Sequence, residues 1–137
     1  MGRTMALDYG ERRTGIAVTD PLQIIATPLT TVETKDLFSF LQNYFQKEEV
    51  EEIVVGMPMD LRGNPTHGTP LVARVLEELA KKFPDLRINT IDERFTSKIA
   101  KRAIAQSGMP KNKRKDKKLV DKTSASLILQ TYLEKKS

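Results

Sequence analysis

Residues Ile53-Val54-Val55-Gly56 form an almost wholly apolar run of strand length, and such a run needs cover on both of its faces. A strand of this kind belongs inside a parallel sheet with helices on either side. The flanking sequence supplies them. Before the run, Leu37, Leu41 and Tyr44 recur at helical spacing beside Phe38 and Phe45. After it, Thr69-Pro70 offers a cap and first turn to a stripe of Leu71, Val72, Val75, Leu76 and Leu79. A further strand is expected over residues 86–91, ending in Asp92-Glu93-Arg94. Nearer the start, Met5-Ala6-Leu7, Gly15-Ile16-Ala17-Val18 and residues 24–28 read as three short strands. No helix-length crossover separates them, so they pair antiparallel. Thr96 or Ser97 caps a helix through Ile104 that Gly108 and Pro110 stop, and a last helix starts near Asp121. The sum is an α/β fold, a five-stranded mixed sheet flanked by helices, in one domain spanning residues 1–137.

Composition narrows the chemistry. The chain has no cysteine and one histidine, His67, which excludes thiolate catalysis, disulfides and His- or Cys-rich metal sites. The opening MGRTMALDYG lacks the apolar core of a signal peptide, and no run is long enough to span a membrane. A cytoplasmic protein with no membrane partner is expected. The net charge is +5, but it is unevenly placed. Residues 94–122 hold eleven basic side chains and two acids, a local +9 that leaves −4 for the remainder. That segregation favours a polyanionic partner, nucleic acid, through Coulomb attraction and counterion release. With no Trp and 6% aromatic residues, a base-stacking platform is poorly supported.

Against this basic background three separated acids stand out. Asp8 follows the first strand, in an acid-to-glycine turn with Arg12 and Arg13 at its tip. Glu93 follows a later, parallel strand, and ligand sites in open α/β sheets lie beyond such strand ends. Asp92 beside it faces the other way, because neighbouring strand residues alternate. Asp121 shares helical spacing with Ala125 and Ile128. Each acid also has a purely architectural use: Asp8 as a turn acid, Glu93 within a polar turn, Asp121 as an N-terminal cap. Gathered together, however, they repel one another unless cations lie between them. An all-oxygen donor set suits Mg2+ or Mn2+, and a pair of such ions suits phosphodiester hydrolysis.

Four stretches, ALDYGERRTGIAVTD (6–20), IVVGMPMDLRGN (53–64), IDERFTSKIAKRAI (91–104) and VDKTSASLILQTYL (120–133), resemble the bacterial pre-16S rRNA nuclease family, also described as Holliday-junction resolvases. The resemblance runs in order over nearly the whole chain. It implies a ribonuclease-H-like fold and processing of the 5′ end of the small-subunit rRNA precursor. The family's catalytic and metal-holding acids match Asp8, Glu93 and Asp121, with two Mg2+ or Mn2+ ions when substrate is bound. Gly56-Met57-Pro58 and Gly63 match the loop bordering its groove, with Met57 in place of the usual Leu. Related junction resolvases carry a second acid three residues further into the last helix, where this chain has Ser124.

Arg12, Arg13 and Arg94 are candidate phosphate grips, and Lys98, Lys101 and Arg102 extend the track. Lys113, Arg114, Lys115, Lys117 and Lys118 form a basic loop able to close over substrate. RNA is favoured over branched DNA, and association with a ribosomal precursor and a monomer or weak homodimer are expected. Two other classes fit part of the pattern. The turn after Asp8 is similar to the phosphate turn of actin-like ATPases, but 137 residues cannot supply the two domains those proteins close over nucleotide. A non-catalytic RNA-binding factor in translation or transcription would keep the fold and the basic patch without needing metal.

Overall fold

The computed structural model describes residues 2–57, 69–92 and 117–136, with side chains throughout except at 117–123 and 136. The expected helix after Thr96 and the loop carrying Gly63 and His67 lie outside the described residues. Three strands come first: β1 (Arg3–Tyr9), β2 (Arg13–Thr19) and β3 (Ala26–Glu33). A single 3-10 turn (Thr34–Asp36) leads into α1 (Leu37–Lys47), followed by β4 (Val50–Met57), α2 (Thr69–Lys82), β5 (Arg87–Asp92) and α3 (Lys117–Lys136). The sheet order is β3-β2-β1-β4-β5. β1–β2 and β2–β3 are antiparallel, and β1–β4 and β4–β5 are parallel, as the connection lengths require.

Strand alternation divides the sheet's side chains between two cores. Met5, Leu7, Ile16, Val18, Ile53 and Val55 face Leu37 and Leu41 of α1 and Val72, Val75 and Leu79 of α2. Phe45 packs at the edge of this layer and meets the Phe83 ring edge to face at 4.9 Å. Ala6, Ala17, Val54 and Ile91 face Ala125, Ile128 and Leu129 of α3. The two alanines under α3, both fully buried, leave room for the helix to lie close to the sheet.

Two boundaries differ from expectation. β3 begins at Ala26 and runs on to Glu33 instead of ending at Pro28. Asp20 holds the preceding loop: its carboxylate accepts the N–H groups of Ile24 and Ile25 at 2.8 Å each, which keeps the carboxyl below the usual range. At this edge strand a register shift between Ile16 and Ala17 leaves Leu29 as the extra residue, and Pro28 is tolerated. α3 begins at Lys117, four residues before Asp121. Its first turn, Lys117-Lys118-Leu119-Val120, has no apolar periodicity to mark it.

α3 is anchored near its C-terminal end by a buried acid. Glu52, 2% exposed on β4, accepts hydrogen bonds at Oε2 from the Tyr132 hydroxyl at 2.6 Å and the Asn89 amide at 2.5 Å. Asn89 Nδ2 also donates to the Tyr132 oxygen at 3.1 Å. Burial, and then the bond to Glu52, pushes the Tyr132 phenol from 10.0 to about 12. Among the described residues no helix is long and apolar enough to cross a membrane.

Replacing Tyr132 by Phe removes one of the donors to Glu52 and is expected to cost about 1–3 kcal/mol, measured by denaturant unfolding. The pH response has a definite sign. Between pH 10.0 and about 12 the unfolded chain releases the Tyr132 proton while the native state retains it. The contribution is therefore complete below pH 10.0 and disappears as pH rises through about 12, and Tyr132→Phe should flatten that part of the stability profile.

Candidate active site

β1, β4 and β5 run parallel, so their C-terminal ends share one edge of the sheet. Asp8 stands there on the central strand, partly buried, opposite Gly15 of β2. Its parity is that of Ala6, which places it on the α3 face of the sheet rather than the α1–α2 face. On β4 the residue beyond the Leu7–Val55 pair is Gly56, buried and without a side chain. On β5 the Met57–Asp92 pair ends the ladder. Ile91 joins the α3 core, so Asp92 belongs to the opposite face, as alternation predicts. Two ladder spacings, roughly 9.5 Å, separate β1 from β5.

The chain reverses tightly after Asp8. Tyr9 still pairs with Thr14, and burial, reinforced by the charge of Glu78, raises its phenol above the ordinary value. A Cβ on Gly10 would collide with the Arg13 carbonyl, so the turn requires glycine at that position. Arg12 is exposed at the tip, and its side chain makes no ion pair among the described residues. Arg13, partly buried, opens β2 in register with Glu33. From the end of β3, Thr34 reaches back to this turn. Its hydroxyl donates to the Gly10 carbonyl at 2.5 Å, its N–H donates to the Arg12 carbonyl at 2.9 Å, and its Oγ1 lies 2.9 Å from the Thr14 hydroxyl. No pattern in the sequence singles out Thr34; only the folded register brings it beside the turn.

Asp121 is the fifth residue of α3, so its alternative use as an N-terminal cap is excluded: a capping residue precedes the first helical turn. Its side chain lies outside the description, as do Glu93, Arg94, Lys98, Lys101, Arg102, Lys113, Arg114 and Lys115 entirely, and the side chains of Lys117 and Lys118. Among the described residues no group of three or more His, Cys, Asp or Glu side chains gathers as a metal site. Of the expected triad, Asp8 alone has its side chain among them. Ser124 is partly buried on α3, one residue before fully buried Ala125.

Comparison with known proteins places this arrangement in a family. A protein of Christiangramia forsetii named "Putative pre-16S rRNA nuclease" is 48% identical over 133 residues, 97% of this chain and 98% of its own. Proteins of the same name from Flavobacterium psychrophilum and Amoebophilus asiaticus are 44% and 48% identical, over 99% and 97% of this chain and 99% and 94% of theirs. The family model described as "RuvX: Holliday junction resolvase" matches residues 2–135, and the chain belongs to that family.

Proposed function

We propose that this protein is a metal-dependent nuclease that processes the 5′ end of the pre-16S rRNA in the cytoplasm during ribosome biogenesis. The observation that carries the reading is the position of Asp8: an acid at the C-terminal end of the central strand, on the face that α3 covers. Helix geometry supports Asp121 as its companion. The C-terminal half of α3 meets Glu52 near the start of β4 and lies beside residues 23–26, so the helix runs back toward the Asp8 edge. From Tyr132 to Asp121 is eleven residues, roughly 16 Å of helix. From Glu52 to Gly56 is four residues, roughly 13 Å of strand. The near match supports an Asp121 backbone level with the edge that Asp8 occupies.

The donor set fits hard divalent cations: carboxylates, with no thiolate and a single histidine in the chain. Asp8, Glu93 and Asp121 would hold two Mg2+ or Mn2+ ions, Asp8 serving both. Such ions supply, when bound, activation of water and neutralisation of charge at the scissile phosphate. The chain's own residues do the rest. Arg12, Arg13 and Arg94 bind phosphate oxygens with paired donors, and Lys98, Lys101, Arg102, Lys113, Arg114, Lys115, Lys117 and Lys118 continue the track. The cut is hydrolytic and uses no covalent enzyme intermediate. RNA is the favoured substrate because the relatives at 44–48% identity carry a pre-16S rRNA nuclease name. The family description favours branched DNA as a second reading, but Ser124 stands where related junction resolvases have an acid.

Cleavage of a pre-16S rRNA 5′-leader transcript and of a four-way DNA junction, each with Mg2+ or EDTA, separates these readings. Leader cleavage that requires Mg2+ is expected. Asp8→Asn should reduce it by more than the roughly 10–100-fold that losing an outer-shell partner of a metal ligand costs. Undiminished cutting by the pure variant removes Asp8 from the chemistry, and cleavage of the junction alone favours the DNA reading. Neutralising Lys113, Arg114 and Lys115 together should lower the salt slope of RNA binding by roughly 2, at about 0.7 per single-strand phosphate contact.

A further inference from the structure

We propose that Thr34 is a positioning residue for substrate, clamping the turn that presents Arg12; this rests on the reading of Arg12 as a phosphate grip. The turn after Asp8 is short and tight, and β1 and β2 alone leave its carbonyls at Gly10 and Arg12 without strand partners. Thr34 takes both. Its hydroxyl donates to Gly10 O at 2.5 Å and its amide donates to Arg12 O at 2.9 Å. A hydroxyl has one proton, and Thr34 commits its own to Gly10. The 2.9 Å contact with Thr14, itself fully buried, therefore runs from the Thr14 hydroxyl to the Thr34 oxygen. The result is a directed relay from Thr14 through Thr34 to Gly10, with a second strut at Arg12. It holds the stretch 10–12 from the residue that follows β3.

Arg12 has a long, exposed side chain and no ion pair among the described residues to hold it. Its aim toward a phosphate thus depends on where its backbone is fixed. Without the hydroxyl, the turn gains conformations that binding must remove again. The loss should appear in affinity and not in metal-dependent chemistry.

The test is fluorescence anisotropy of the full-length protein with a 20-nucleotide single-stranded RNA in EDTA, across a salt series. Thr34→Val keeps the shape and removes the hydroxyl; Thr34→Ser restores it. Thr34→Val should weaken binding roughly tenfold, the scale of ordering one backbone residue, and lower the salt slope by roughly 0.7. Thr34→Ser should bind as the parent does. Arg12→Ala should match Thr34→Val, and the double variant should be no weaker than Arg12→Ala alone. A merely structural loss would reduce the folded fraction, visible by circular dichroism, without changing the salt slope. Unaltered binding by Thr34→Val, an unchanged slope, or full additivity with Arg12→Ala overturns the proposal. Parent-like binding by Arg12→Ala overturns it from the other side, and the phosphate-grip reading falls with it.

Discussion

β1 is the strand on which both layers of the molecule close. Side chains alternate along it, so Met5 and Leu7 enter one core while Ala6 enters the other. The same alternation assigns Asp8 to the α3 side, just where apolar cover ends. A slip of one residue in the pairing with β2 would exchange the layers and turn Asp8 toward α1 and α2. The register that buries Met5 opposite Val18 and Leu7 opposite Ile16 thus also fixes the face on which the acid stands. Core packing and site geometry are one constraint seen at two ends of seven residues.

The two faces solve different problems. On the α1–α2 face, large aliphatic side chains interlock and aromatic rings such as Phe45 and Phe83 seal the rim. On the α3 face, Ala6 and Ala17 make a shallow floor, and a polar cluster of Glu52, Asn89 and Tyr132 helps fix the helix against it. Hydrophobic contact alone tolerates sliding along a smooth floor. A buried carboxylate with specific donors does not, because displacement strands a charge in a water-poor place. The polar cluster therefore favours one seating of α3, the helix that carries Asp121.

Much of this was legible in the sequence because it follows from periodicity. Ile53-Val54-Val55 announced a strand covered on both sides, and it divides its side chains between the two cores. The spacing of Leu37 and Leu41 marked α1, and Thr69-Pro70 marked the start of α2. The lengths of the connections settled which strands are parallel. Legibility failed where burial is partial or the partner is distant in sequence. The Thr-rich half of β3 lies at a sheet edge, so it carries little apolar alternation to mark its extent. α3 starts in a polar turn, which leaves its first residue unmarked in the sequence and an N-terminal cap open as an alternative for Asp121. Glu52 carries no mark of burial in the run Glu48-Glu49-Val50-Glu51-Glu52 beyond its alternation with Val54. Thr34 offered none, since its importance comes from carbonyls twenty-two and twenty-four residues away. For the candidate site, Asp8 and its arginine turn stand out in the sequence because acid, glycine and paired arginines sit within six residues of one another.

The late position of α3 in the chain has a consequence for biosynthesis. All five strands leave the ribosome before this helix does, and until it docks, Ala6, Ala17, Val54 and Ile91 lack their cover. The growing chain therefore exposes a greasy sheet face that invites misassembly. Folding of that layer must wait for contacts between segments more than a hundred residues apart. A chain terminated early would keep that face bare and sticky, and be a natural target for clearance.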